Sequence, residues 1–155
     1  MNTMVLGKAE ASYRRIHDRL WRSLLAYSGD PEVASDAESE AFSQCLRRAD
    51  EIDNVDAWVW KASFRIAAGL LKKRSQTVMR ANPATKGTYL DSSLHEFLCQ
   101  LNGLSDQQRA IVALRYIGDY RPTEIAELIG SSPGSVRVQL HRAHDHLRTV
   151  LGELK

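Results

Sequence analysis

Residues 122–140 have the sequence PTEIAELIGSSPGSVRVQL, and this stretch decides the fold of the C-terminal part of the chain. Pro122 suits the first position of a short amphipathic helix, and Gly130 suits its end. After a three-residue turn, Ser132 and Pro133 are a cap and a first position for a second helix. A short helix, a turn and a capped second helix at this spacing are typical of a helix-turn-helix.

The second helix of this motif has two faces with different predicted uses. Its inner face is an apolar stripe at steps of four and three, made of Val136, Leu140, Ala143, Leu147 and Val150. Such a stripe predicts packing against the rest of the domain. The outer face carries Ser135, Arg137, Val138 and Arg142. We predict that it reads DNA, because Arg pairs with guanine and an apolar group meets a thymine methyl in the major groove. An ordinary solvated helix face with the same residue types is the alternative.

The composition and the helical periodicity of the whole chain together favour an all-α protein that folds without cofactor or disulfide. Of 155 residues, 43% are hydrophobic and 26% are charged, which suffices for a core and a polar surface. The periodicity is helical throughout, and no stretch alternates as a strand does. The longest apolar run is far below the ~20 residues that span a bilayer, and no signal peptide is recognisable. Cys45 and Cys99 form no CxxC pattern, so we expect a reducing, cytoplasmic location without membrane insertion.

Three helices are predicted in the N-terminal part. The first covers residues 8–27, and the second begins at Pro31, after the cap Asp30, and runs to about residue 49. The third is expected from residue 55 to about residue 74, with Asn54 or Asp53 as its cap.

The helical pattern stops between residues 76 and 90, where Pro and Gly occur without apolar periodicity. A second helical cluster begins near residue 91 and contains a capping-box pattern at residues 105–108. We therefore predict two small helical domains, residues 1–75 and 91–155, joined by a linker over residues 76–90.

Charge is unevenly distributed, although the net charge is only +2. Residues 31–56 hold eight acids against two bases, and residues 57–80 hold six bases and no acid. These blocks either neutralise each other across a helix pair or form two surfaces for different partners.

On the predicted helices, several charges of each block lie on one side of a helix. On the third helix, Lys61, Arg65 and Lys72 fall within about 40° of one another, and Trp58 lies beside them. A basic stripe beside an aromatic ring suits a phosphate backbone with exposed bases, although a tryptophan such as Trp58 is more often a core residue than a base-stacking one. Trp60 and Phe64 point elsewhere and are predicted to be core residues.

On the second helix, acids recur every four residues and form an acidic ridge of Glu32, Asp36 and Glu40.

Taken in order, these segments resemble extracytoplasmic-function sigma factors, the small two-domain specificity subunits of bacterial RNA polymerase. Residues 28–31 (SGDP), 34–42 (ASDAESEAF) and 57–61 (AWVWK) resemble their region 2. The segments that resemble their region 4 are residues 103–105 (GLS), 114–116 (LRY), 124–126 (EIA), Gly130 and 136–143 (VRVQLHRA).

The resemblance implies a role for each face. The ridge, with Asp36, Glu40 and Phe42, corresponds to the surface that binds the clamp helices of core RNA polymerase. The third helix corresponds to the element that opens and reads the minus-ten promoter DNA, through Trp58, Lys61, Arg65, Lys72 and Lys73. The last helix corresponds to the reader of the minus-thirty-five element, through Ser135, Arg137, Val138, Gln139 and Arg142. The resemblance leaves an anti-sigma factor open as a further partner.

The chain also departs from the family pattern at several positions. Glu38 stands where an apolar residue is usual, and Ser39 stands where Gln is usual. Arg65 and Gly69 replace the Asn and Asp that are common in the melting helix.

Two other classes of function compete with a sigma factor. A helix-turn-helix regulator that acts without polymerase, as a dimer on a palindromic site, would use the same last helix. An enzyme is not expected, because the sequence contains no phosphate loop, no nucleophile elbow and no dyad at His17 and Asp18. His141, His144 and His146 spread around the last helix, so no metal site is predicted.

Overall fold

Six α-helices build the part of the chain that the computed structural model describes, residues 3–77 and 98–153. They are α1 (Thr3–Ser28), α2 (Pro31–Arg48), α3 (Val55–Thr77), α4 (Asp106–Tyr116), α5 (Pro122–Ile129) and α6 (Pro133–Glu153), with a 3₁₀ turn at Ala49–Glu51 and helical residues at 98–101. No strand occurs in these two ranges. The predicted all-α class is therefore confirmed.

The predicted helix starts coincide with side-chain caps. Asp30 Oδ1 accepts a hydrogen bond from the backbone N–H of Glu32, at 2.9 Å, and Asn54 Oδ1 accepts one from Ala57, at 3.2 Å. In the C-terminal part, Ser105 and Gln108 form the predicted capping box at the start of α4. These bonds satisfy backbone N–H groups that have no partner within the helix, which fixes where each helix begins.

Two predicted helix boundaries differ from the structure by several residues. Helix α1 begins at Thr3 instead of residue 8, and α3 continues to Thr77, past the predicted end near residue 74. Two residues of the predicted linker, 76 and 77, therefore belong to α3. The rest of that linker and the predicted start of the second cluster near residue 91 lie outside the described residues.

Helices α1, α2 and α3 form an N-terminal unit. Helix α2 packs against both α1 and α3, and alanines on its inner side are completely buried, which allows close helix approach. Trp60, predicted to be a core residue, is 1% exposed, and Phe64 is also buried. The core of this unit is thus made by large side chains of α1 and α3 that meet across a small-residue face of α2.

Helices α4, α5 and α6 form a C-terminal unit around Ile111, Leu114 and Ile125. The predicted stripe of α6 faces this core. Val136 and Ala143 are fully buried, and Leu140 and Leu147 are partly buried against it. The Val150 side chain lies outside the described part of the chain.

The two units are in contact, and one buried cluster extends through both. Helix α1 packs against α4, and α3 contacts α5. The rings of Trp60 and Tyr120 meet edge to face, with their centroids 5.1 Å apart. Gly118 allows this approach, since a Cβ there would lie 2.8 Å from the Leu114 carbonyl oxygen and 3.2 Å from the Trp60 ring. Of the described helices, none is long and apolar enough to cross a membrane.

Candidate nucleic-acid and docking interfaces

The turn between α5 and α6 sets the rotation of the last helix. Gly130 has φ of 70°, in the left-handed region that favours glycine, and ends α5. Ser131 then donates its N–H to the carbonyl of Ala126, at 2.8 Å, and the hydroxyl of Ser132 accepts from the N–H of Ser135. Because Val136 is buried, the residues on either side of it must point away from the core.

The N-terminal outer face of α6 is open, apart from one contact. Arg137 and Arg142 are exposed, and Val138 is 48% exposed. Ser135 and Gln139 are half-buried. Gln139 Oε1 accepts a hydrogen bond from Gln108 Nε2 of α4, at 3.0 Å. This face has the shape and the donors that a DNA-reading helix requires, and α4 holds Gln139 at its edge.

Helix α3 presents a row of exposed bases: Lys61, Arg65, Lys72 and Lys73. Trp58 at the start of this row is half-buried and packs against the core cluster. Part of its ring therefore packs against the core, and part of it is exposed at the surface. Among the described residues, no ion pair involves Lys61 or Arg65, so their charges are available to an anionic partner.

Two clefts between the units border this basic row. The first has a volume of about 440 Å³ and lies between Lys61, Arg65 and Phe64 of α3 and Asp106, Leu128 and Ile129 of the C-terminal unit. The second, of about 480 Å³, is lined by Trp58 and Lys61 together with Tyr120 and Glu124. The start of the row thus faces the C-terminal unit, whereas Lys72 and Lys73 line neither cleft.

Arg74, at the end of the basic block, has a different environment. Its guanidinium donates to the Asp30 carboxylate, which also caps α2, and to Glu32, at 3.1 Å. These contacts join the last turn of α3 to the first turn of α2. Arg74 thus offsets part of the charge of these two acids, while other charges of both blocks stay on the surface.

The acidic ridge of α2 is exposed at Asp36 and Glu40. Glu40 accepts hydrogen bonds from Gln44, at 3.0 Å, and from Arg47, at 3.4 Å. Phe42 lies away from the ridge, half-buried, with its ring edge-on to Tyr13 of α1 at 5.2 Å between centroids. Glu32 is held by Arg74 and Glu40 by Arg47, so Asp36 is the ridge acid that is most accessible to a partner.

A contact between His17 of α1 and the buried Glu38 of α2 was not predicted from the sequence. Glu38, 6% exposed, places both carboxylate oxygens near Nδ1 of His17, at 2.8 and 2.9 Å. Burial raises the pKa of Glu38, and the hydrogen bond from His17 opposes that rise. Asp18, the neighbour of His17 in the sequence, instead pairs with Arg22. An acid within the apolar stripe of α2 was the available signal.

A second missed cluster joins α1 to α3. Asp56 accepts hydrogen bonds from Ser12, at 2.5 Å, and from Arg15, at 2.9 and 3.2 Å. Burial pushes the pKa of Asp56 upward, but these bonds and the charges of Arg15 and Arg19 outweigh burial and hold it below the usual value. Asp56 is thus an ionised anchor between two helices.

The histidines of α6 have separate environments. His144 forms a hydrogen bond with the hydroxyl of Tyr116, and His141 lies 3.5 Å from Asp145. His146 packs beside Gly103. The three histidines thus contact three different residues.

Comparisons with known proteins show what the chain is similar to. The family model described as sigma-70, region 4, matches residues 94–147, which contain α4, α5 and most of α6. Over 141 residues the chain is 26% identical to the RNA polymerase sigma factor SigV of Bacillus subtilis, covering 84% of this chain and 83% of that protein. It is 25% identical over 154 residues to the ECF RNA polymerase sigma factor SigE of Mycolicibacterium smegmatis, covering 90% of this chain and 60% of that protein.

A solved structure has the same fold along almost the whole chain. It is the sigma factor RpoE of Bartonella quintana, solved in complex with the anti-sigma factor NepR. The TM-score is 0.77 at 19% identity, covering 92% of this chain and 96% of that one. The matched region 4 and the relatives that cover both units show that the chain is similar in sequence to extracytoplasmic-function sigma factors, and the solved structure shows that it shares their fold.

Proposed function

We infer that this chain is a sigma factor, which binds core RNA polymerase and directs it to specific promoters. The observation that carries this function is an open reading face on α6 in the same chain as a separate helical unit with a basic α3 and an acidic α2. A repressor needs the first feature only. A polymerase subunit that also opens DNA needs all three.

We propose that α6 reads the minus-thirty-five element. Arg137 and Val138 are its base-contacting residues, since they are exposed near the helix N-terminus, where a major groove admits the helix. Ser135, Gln139 and Arg142 flank them and contact bases or phosphates. The hydrogen bond of Gln139 to Gln108 supports a positioning use of that side chain.

We propose that α3 binds the minus-ten DNA. Lys61, Arg65, Lys72 and Lys73 follow the phosphates, and Trp58 stacks on an unpaired base. The exposure of all four basic side chains supports this assignment. For Trp58, its place between the core and the surface supports it, because a base can reach only one side of the ring.

We propose that Asp36, Glu40 and Phe42 contribute to docking on core polymerase. Exposed acids at Asp36 and Glu40 suit a basic partner surface, and charge complementarity of this kind steers association. Phe42, on the side of α2 that faces Tyr13, contributes an apolar contact.

The two DNA surfaces cannot act together while the units are in contact. The two promoter elements are separated by roughly 25 base pairs, which is about 85 Å along a duplex. A compact chain of 155 residues has a radius of gyration of about 15 Å. We propose that promoter binding on polymerase separates α1 from α4.

This function contributes no catalytic group of its own and requires no cofactor. Its place is the cytoplasm, where polymerase and promoters are found. An anti-sigma protein is proposed as a further partner, since the structure of similar fold was solved with one.

Reconstituted transcription tests the function directly. Purified chain is mixed with core polymerase that lacks any sigma factor, and a randomised promoter library is transcribed. We expect co-elution with core polymerase and transcripts from a defined two-part sequence. A free dimer that binds a palindrome and never associates with polymerase would support the regulator instead.

A further inference from the structure

The stripe by which α2 packs into the bundle contains one acid. Ala34, Ala37, Ala41 and Cys45 of this stripe are each 0% exposed, and Glu38 among them is 6% exposed. A buried carboxylate is costly unless it is paired, and an apolar residue would pack there at lower cost. Positions where a core breaks this rule are often those that serve function.

Glu38 is paired with a ring that leads to the surface. His17 is hydrogen-bonded to the Glu38 carboxylate through Nδ1. Its ring stacks on Tyr13, with the ring centroids 4.5 Å apart and the ring planes at 20°. Tyr13 in turn meets the edge of Phe42 at 5.2 Å. Glu38 and Phe42 are four residues apart on α2, and Tyr13 and His17 are four residues apart on α1. The four side chains therefore form one continuous row across the two helices.

Tyr13 is the exposed end of this row. Its side chain is 42% exposed, although it carries a large ring, and it lies against Phe42. An aromatic ring that is held by neighbours loses little conformational freedom on binding, which makes it a favourable interface contact.

We propose that Tyr13 is a further polymerase-docking residue and that His17 and Glu38 are positioning residues, which hold the Tyr13 and Phe42 rings in the orientation that the polymerase accepts. This inference rests on the proposed function. The partner it fits is core RNA polymerase, through an apolar surface that packs on the exposed Tyr13 ring.

Two variants separate positioning from packing. Glu38→Leu fills the same core volume but leaves His17 without its partner. Glu38→Gln keeps an oxygen that accepts a hydrogen bond from His17. We expect Glu38→Leu to unfold at the same or a higher temperature than wild type, yet to bind core polymerase about three- to tenfold more weakly. Glu38→Gln should bind close to wild type.

Tyr13 gives an independent test that does not involve the core. Tyr13→Ala should weaken polymerase binding by a similar factor and Tyr13→Phe should not, because the ring makes the contact. The matched control is Met4→Ala, an exposed apolar residue of the same helix (68% exposed) that lies on the opposite side, nine residues away.

The measurement is the Kd of the labelled full-length chain for core polymerase, with a thermal melt of each variant. If wild type binds and both Glu38→Leu and Tyr13→Ala bind as tightly as Met4→Ala, the inference is wrong and the proposed function stands. A wild-type chain that does not bind core polymerase would overturn the proposed function and the inference with it.

Discussion

Arg109 of α4 donates a hydrogen bond from Nε to the backbone carbonyl of Tyr27 on α1, at 2.9 Å, and its guanidinium lies over the Tyr27 ring at 5.7 Å. The same side chain donates to the Leu104 carbonyl and to Asp106, and it is only 13% exposed. One arginine therefore joins the two units at the contact that the proposed function requires to open. A charged donor of this kind contributes roughly 1.5–3 kcal/mol.

Removing this arginine should therefore loosen the contact between the units. Arg109→Ala should increase the radius of gyration in solution scattering and speed proteolytic cleavage between the units. Arg115→Ala on the same helix is the control, because Arg115 lies over the exposed Tyr116 ring and makes no contact of this kind with α1. Identical scattering curves for both variants and wild type would contradict the role of Arg109.

The acidic ridge makes a prediction about polymerase affinity. Asp36→Lys should weaken binding to core polymerase by about 30-fold, since losing a close interfacial charge pair costs ~2 kcal/mol or more. Glu40→Lys should act in the same direction but also breaks the pair with Arg47. Asp18→Lys on α1, 86% exposed, controls for charge alone. A pull-down in which all three variants bind like wild type would refute docking through the ridge.

The basic row makes a prediction about salt. Lys61→Ala and Arg65→Ala should each lower promoter affinity and flatten the slope of log K against log salt by about 0.7–0.9 for each phosphate that the variant no longer neutralises. Arg74→Ala is a matched control on the same helix, because Arg74 is held by Asp30 and Glu32. It should lower the melting temperature and leave the slope unchanged. Titrations at several salt concentrations distinguish the two classes of variant.

The two faces of α6 should respond differently to mutation. Changes at Arg137 or Val138 should alter base preference in the upstream element by ~1–3 kcal/mol per position and leave folding intact. Leu140→Ala should instead destabilise the domain by about 2 kcal/mol, at the low end for leucine, because Leu140 is only partly buried. Selection from a randomised element and thermal melts give the two readouts. An unchanged base preference for both outer variants would exclude α6 as the reader.

Asp56 makes the stability of the N-terminal unit depend on pH. Its folded pKa is lowered, so it contributes stability above the unfolded value of about 3.9, and this contribution disappears as the pH falls through the folded pKa. Asp56→Asn should therefore lower the melting temperature by roughly 2–4 °C at neutral pH, and the difference should shrink in acid. Asp18→Asn, in an exposed pair with Arg22, should show no such trend. Melts between pH 3 and pH 7 test this.

Local sequence determined the helices and the exposed outer face of α6. Caps at Asp30, Asn54, Ser105 and Ser132 act within three residues, and the left-handed turn at Gly130 acts on its own backbone. The burial of Trp60 and Val136 followed from helical periodicity, which relates residues three and four positions apart. These features were predictable because both partners of each interaction lie within one turn of chain.

Contacts between helices were decided by the tertiary structure alone. His17 meets Glu38 across 21 positions, Arg15 meets Asp56 across 41, and Arg109 meets Tyr27 across 82. Which side chains meet depends on how the helices cross and rotate, and close packing selects that arrangement from all the apolar faces together. No local pattern in the sequence specifies it, so the acid of α2 and the arginine of α4 acquire their partners only in the folded chain.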